Sequence, residues 1–214
     1  MTKTQRRGRP GYDQKAILEV AITAFNEFGY DATSMGVLAS RLSLSKAAIY
    51  HHVSSKEELL ELALDEALGA LEGVLTTEEA RAGRAIDRLA WVLRGAVNVL
   101  SEKLPSVMLL LRVHGNTVVE HNALARRKEF DRVVAALVVE ACEDGSLRSD
   151  IDPRIVTRLL FGMVNSIAEW YRPSGPADAA KLAEDVLAFA LDGLRMPTSN
   201  RVTDLLGLTP ASTV

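Results

Sequence analysis

The chain has 214 residues, 48% of them hydrophobic and 5% aromatic, which is enough to bury a substantial core. Its formal net charge of −3 argues against a protein that coats nucleic acid without discrimination. A single cysteine, Cys142, excludes a disulfide framework or a cysteine-built metal site within one chain, and there is no apolar span or signal core, so a cytoplasmic location is expected.

Charge is unevenly placed. Residues 1–60 carry eight Lys/Arg against six Asp/Glu, and the remainder seventeen against twenty-two. A basic end on an acidic body orients a molecule toward DNA. Lys3, Arg6, Arg7 and Arg9 precede any acid, among Gly8, Pro10 and Gly11. Residues 1–12 therefore read as a flexible basic arm, with Arg6, Arg7 and Arg9 suited to a narrow minor groove.

Asp13 can cap a first helix reaching Phe28, with Ile17, Val20, Ala21, Ala24, Phe25 and Phe28 as its buried stripe and Gly29 as its stop. Ser34 then precedes Met35, Leu38, Ala39 and Leu42, which recur at helical spacing. Ser43-Leu44-Ser45 breaks that pattern. Ser45 caps a second short helix, Lys46 to about His52, with Ala48 and Ile49 inward and Lys46, Ala47, Tyr50 and His51 outward. So short a helix persists only when packed on its neighbour, which is the helix-turn-helix arrangement. Its outward side chains offer a cation, a small apolar surface for a thymine methyl, and donors for phosphates or base edges. Ser54-Ser55-Lys56-Glu57-Glu58 presents a capping box in either register, with Lys56 beside free N–H groups.

Thr33-Ser34, Leu38-Ala39, Leu44 through Val53 and Ser55 through Leu59 together resemble the DNA-binding domain of TetR-family transcriptional regulators. The likeness covers about the first sixty residues; Val53 stands where Phe is usual and Leu44 where Val is common. It implies an all-α fold of about nine helices: a three-helix DNA-binding domain and a C-terminal bundle that binds ligand and dimerises. The expected division is an arm at 1–12, the helix-turn-helix at 13–55, a regulatory domain at 56–195 and a tail at 196–214. The DNA-binding set expected is Arg6, Arg7, Arg9, Thr33, Ser34, Ser45, Lys46, Ala47, Tyr50, His51 and Lys56, with Thr33, Tyr50, His51 and Lys56 on phosphates.

Beyond Ser55 every segment reads as helix: one to Leu75, one from Glu78 to about Lys103, a short one from Ser106, and long ones at 117–143, 153–171 and 177–194. In the 155–171 segment apolar residues nearly encircle the axis, and the last helix behaves alike. A helix apolar all round must be covered on several sides, which a second copy can supply. Ile155, Leu159, Met163, Leu182, Val186 and Phe189 are the expected homodimer residues. Two recognition helices about one DNA turn (~34 Å) apart would read a pseudo-palindromic double-stranded operator.

The resemblance also implies a small-molecule pocket within the bundle. Its candidates are Trp91, Arg112, Asn116, Phe130, Met163, Asn165, Glu169 and Trp170; Trp91 and Trp170 equally suit core filling, and Arg112 an ordinary ion pair. The segments from Asp150 to Pro153 and from Trp170 to Pro176 resemble regulators that sense acyl-CoA thioesters, so that class is one expected effector and a hydrophobic drug or metabolite the other. No cofactor, metal or membrane partner is expected. His51 and His52 point about 100° apart on a helix, a poor metal pair. There is no nucleophile elbow or phosphate-cradling glycine loop, so an enzyme is not expected. A non-specific DNA-associated protein would carry more positive charge.

Overall fold

A computed structural model describes residues 13–175 and 177–195. The expected arm, with Arg6, Arg7 and Arg9, and the tail beyond 195 lie outside the described residues. Among those residues the protein is all α-helix: α1 (Gln14–Phe28), α2 (Met35–Leu42), α3 (Lys46–Tyr50), α4 (Lys56–Thr76), α5 (Glu78–Arg81), α6 (Ala85–Glu102), α7 (Leu104–Leu111), α8 (Val118–Glu143), α9 (Pro153–Trp170) and α10 (Ala179–Leu194).

The count is ten where nine are expected, because the helix read as 78–103 is broken. Gly83 takes φ +98, a conformation that favours glycine, and divides α5 from α6. Thr77 caps the short α5 by accepting from the Ala80 N–H.

Contacts divide the chain into two compact units. Of the described residues, one comprises those up to Ala70 with Glu102–Arg127; the other comprises Leu71–Ser101 with those from Lys128 on. The expected 13–55 segment is thus the leading part of a larger first unit, which also takes in the start of α4, α7 and the start of α8.

In the first unit α1 packs on α2 and α7. Ile17, Ala21, Ala24 and Phe25 are buried as expected, and Ile22 joins them. Phe28 departs from its expected place in the stripe. It is half exposed, and the Arg41 guanidinium lies 4.8 Å from its ring centre while also pairing with Glu27. α1 ends at Gly29, with φ 85 and ψ 153, backbone space essentially restricted to glycine. The Asn26 side-chain amide donates to the Pro105 carbonyl (2.8 Å), joining α1 to α7.

In the second unit Leu89, Val92, Leu93, Val134, Val138 and Ala141 form the dry centre of a core reaching α9 and α10 through Val156, Leu160, Leu187 and Leu191. Burying each such Leu or Val contributes roughly 1.5–3 kcal/mol before chain entropy is counted. Bidentate pairs Arg88–Glu140 and Arg94–Glu184 tie α6 to α8 and to α10 at the surface. Pairs so exposed contribute under about 1 kcal/mol each, so apolar packing holds this unit.

Candidate nucleic-acid interface

Three caps place the recognition element. The Ser34 hydroxyl accepts from the Val37 N–H (3.3 Å) and opens α2, whose Met35, Leu38, Ala39 and Leu42 all face inward. Ser43 closes α2 in the left-handed region at φ 52, a rare conformation for a residue with a side chain, and turns the chain sharply. Two residues on, the Ser45 hydroxyl accepts from Ala48 N–H (3.1 Å) and starts α3. Only Ile49 of α3 is fully buried, so that one side chain and the Val53 plug behind it hold a five-residue helix in place.

The remaining α3 side chains look out. Lys46, Ala47, Tyr50 and His51 are exposed, as are Ser34 and Ser45. Lys46 has a neighbour that periodicity does not reveal. Its stem lies back over Gly36, where an added Cβ would meet the Lys46 Cε at 3.2 Å and Nζ at 3.5 Å, with Ser34 Oγ at 3.4 Å. The ammonium therefore sits at the N-terminal end of α2, beside backbone N–H groups that have no helical carbonyl partner. A cation and a helix N-terminus together favour a phosphate oxygen. A glycine at the second position of a short helix is the sequence trace of this arrangement, legible only once the turn at Ser43 is known.

Two of the expected phosphate contacts are reassigned. Thr33 is 1% exposed, and its hydroxyl donates to the Gly29 carbonyl (2.8 Å) with the Ala24 carbonyl at 3.3 Å, so it closes α1 instead of facing DNA. Lys56 donates from Nζ to the Tyr30 carbonyl (2.9 Å) and lies 4.1 Å over the Tyr30 ring, bracing the start of α4 against the end of α1. Burial, then the charges of Glu57, Asp31 and Glu120, push the Tyr30 hydroxyl up to about 12, so it stays neutral under this brace. The capping box uses both registers. Ser55 Oγ accepts from the Glu58 N–H (3.0 Å), and the Glu58 carboxylate accepts from the hydroxyl and N–H of Ser54.

The expected effector residues are scattered. Arg112 is exposed and donates to the Asn26 carbonyl (2.7 Å), which anchors α7 to α1 within the first unit. Asn116 is exposed in the turn before α8, its N–H given to Glu120. In the second unit Phe130 is buried against Phe161 with ring centres 5.8 Å apart, and Trp91 packs half-buried on the same core. Asn165 is half-buried, whereas Glu169 and Trp170 stand on the outer side of α9 and line no interior. Met163 borders a groove of about 370 Å³ on the outer face of α9 and α10.

Of the expected dimer residues, Ile155, Leu159 and Phe189 are exposed and Leu182 and Met163 half-buried. Val186 is buried within its own chain, because it falls on the inward side of α10 with Ala183 and Ala190. Among the described residues no three His, Cys, Asp or Glu side chains gather as metal ligands, and no helix is long and apolar enough to cross a membrane.

An exposed helix-turn-helix face on a buried backing, followed by an all-helical bundle, defines a DNA-binding regulator of transcription. Residues 17–63 match the bacterial regulatory proteins of the tetR family, and residues 82–194 match the tetracyclin repressor-like C-terminal domain. The chain belongs to the TetR family of ligand-responsive transcriptional regulators. The chain is 45% identical to SCO3833, a TetR regulator from Streptomyces coelicolor A3, whose crystal structure it matches with a TM-score of 0.79 over 92% of this chain and 96% of that one. It is 25% identical to the transcriptional repressor KstR2 of Mycolicibacterium smegmatis over 87% of this chain and 92% of that one. It shares a fold, at 24% identity and TM-score 0.70, with AibR, solved with isovaleryl coenzyme A and operator DNA; the match covers 82% of this chain and 96% of AibR.

Proposed function

We propose that the protein is a cytoplasmic homodimeric repressor. α3 enters the major groove with Ala47, Tyr50 and His51 toward base edges and backbone, and Ser34, Ser45 and Lys46 hold phosphates beside it. The observation that carries this reading is the placement of Lys46 at the α2 N-terminus, next to a polar helix face backed by Ile49 and Val53. The arm residues Arg6, Arg7 and Arg9 extend the contact into an adjacent minor groove. Lys56 and Thr33 support the register from within. Pairing of two copies through α9 and α10 presents two such faces to a pseudo-palindrome.

The effector is an apolar acyl group carried as a coenzyme A thioester. Its acyl end would lie among Trp91, Phe130 and the surrounding apolar side chains of the second unit, with Asn165 as the polar neighbour. The supporting observations are the aromatic side chains packed in that core and the ligand class of AibR, a protein of the same fold. Effector binding favours one of two states of the dimer, and α4, whose residues divide between the two units after Ala70, is the covalent path of that coupling.

Operator fragments selected from random duplex DNA test both halves. Lys46→Ala should lower the slope of log affinity against log salt by about one. Gly36→Ala should weaken binding by crowding the Lys46 stem while leaving the melting temperature in place. Acyl-CoA esters should raise the melting temperature and release the operator. An unchanged salt slope in Lys46→Ala rejects the phosphate role, and a broad thioester panel without effect rejects the effector class.

A further inference from the structure

Asn26 sits where the pattern of α1 calls for a wet side chain. At 100° per residue it falls roughly 150° from the middle of the buried stripe Ile17, Ala21, Ala24 and Phe25, on the side where Lys15 and Glu19 are exposed. Its side-chain oxygen is nevertheless closed off from solvent, because α7 packs over this end of α1. The amide nitrogen donates to the Pro105 carbonyl (2.8 Å), and the Arg112 guanidinium donates to the Asn26 carbonyl (2.7 Å). The side-chain oxygen receives nothing. Among the described residues it is the one buried side-chain polar atom without a hydrogen-bond partner.

Such an atom costs stability, since burial strips its hydration and nothing in the fold replaces the lost bond. An apolar side chain of similar size would avoid that cost. What the amide supplies is a fixed joint. α7 has no side-chain cap at Lys103, and its first turn is held from two sides. Asn26 of α1 grips it at Pro105, and the Glu66 carboxylate of α4 accepts from the buried Ser106 hydroxyl (2.7 Å). α1 carries this constraint to its other end, where Gln14 Nε2 donates to the His52 carbonyl (3.4 Å) just past α3. It also carries it sideways through α2, which packs on both α1 and α3.

We propose that Asn26 is a positioning residue for operator binding: it pins α7 to the end of α1, and α1, held at His52 and through α2, keeps α3 at the angle the groove needs. This rests on the reading of α3 as the groove-entering helix. It adds a route from α7 to the DNA-reading face that runs through α1, and no atom of Asn26 touches DNA along it. A hydrogen bond suits the task because it fixes direction as well as distance. Apolar contact is non-directional, so a leucine at position 26 would fill the space yet let α7 roll on α1. The unmet oxygen accompanies the aimed nitrogen, since an amide carries both. Local conflicts of this kind are retained where function needs them.

Asn26→Leu in the full chain separates positioning from packing. Its melting temperature should stay within about 3 °C of the unsubstituted chain, because removing the unmet oxygen offsets the lost bond. Affinity for the selected operator should fall about tenfold, the size of effects relayed without contact. The salt slope should hold, since no phosphate contact is lost. Hydrogen exchange without DNA should quicken at the α3 amides and stay unchanged in the core of α6 and α8. Arg112→Met leaves the Asn26 side chain intact and should act in the same direction, so it carries the same measurements if Asn26→Leu fails to fold; Arg112→Lys keeps a donor and should restore most of the affinity. Unchanged operator affinity in Asn26→Leu overturns the positioning role. A loss of affinity matched by a loss of melting temperature reduces Asn26 to packing, and a smaller salt slope makes it a phosphate contact; either overturns the proposal. Unchanged exchange in α3 overturns the route through α1, whatever the DNA measurements give. Should the unsubstituted chain select no operator at all, the reading of α3 fails, and exchange still decides whether the joint at Asn26 reaches α3.

Discussion

Tyr50 on α3 and Phe189 on α10 both stand in solvent, 50% and 78% exposed. Their surroundings differ. Lys46, Ala47 and His51 flank Tyr50 on a helix whose one buried side chain is Ile49, and a serine cap opens each of α2 and α3. Phe189 borders a groove whose named walls are all apolar. A polar rim around an exposed aromatic marks a surface that stays wet until phosphates and bases arrive. An apolar rim marks a surface that water leaves when another protein surface covers it. Exposure alone does not separate a DNA-reading face from a pairing face; the company of the aromatic ring does.

That contrast can be broken most sharply at Ile49. Truncation to Ala at a fully buried site costs about 2–5 kcal/mol, and here the loss falls on the helix that presents Tyr50. Urea unfolding should show the loss of stability, and operator binding should vanish with it. Preserved binding in Ile49→Ala would mean that α3 is held by something other than its buried side chain.

Phe189→Ser is the counterpart and should act in the opposite way. Unfolding of the single chain should barely change, because the ring is already in water. The dimer should weaken by about 30-fold, the size expected for loss of a central aromatic worth about 2 kcal/mol. Analytical ultracentrifugation checks this, and a fall in chain stability with pairing unaffected would place Phe189 in the wrong category.

Much of the first region is legible in the chain itself. Asp13, Ser34 and Ser45 are caps at readable spacing, and Met35, Leu38, Ala39 and Leu42 mark their own buried face. What escapes is set by contacts between segments distant in sequence. Thr33 is as good a phosphate donor as Ser34 on paper; only the fold turns its hydroxyl toward the Gly29 carbonyl. Phe28 fits the α1 stripe, yet Arg41 from α2 holds it at the surface. In the second region the two-sided apolar pattern of α9 and α10 reveals that more than one neighbour is needed. It does not separate Val186, which faces its own core, from Phe189, three residues on, which faces out. The effector candidates fare worst, since polar residues on apolar helices are as readily surface anchors as lining: Arg112 is such an anchor.

The smallest expected effect lies where α4 begins, at the end of the polar region. The Glu58 carboxyl is held below its ordinary value of 4.5 by hydrogen bonds from the Ser54 hydroxyl and then the Ser54 N–H. A carboxyl depressed in the folded chain contributes stability above its unfolded value and loses it as pH falls through the folded one. Glu58→Gln removes that charge but keeps an acceptor. The two proteins should therefore differ in urea midpoint near neutrality and converge as the pH drops below about 4.5. The pairing face offers the control, because Phe189→Ser removes an uncharged ring and its deficit in dimer affinity should hold constant over the same range. A gap between the unsubstituted chain and Glu58→Gln that persists unchanged into acid would show that the cap works by shape and not by charge. The start of α4 would then be governed as the α9–α10 groove is, by packing, and the contrast between a polar and an apolar surface would not extend to this cap.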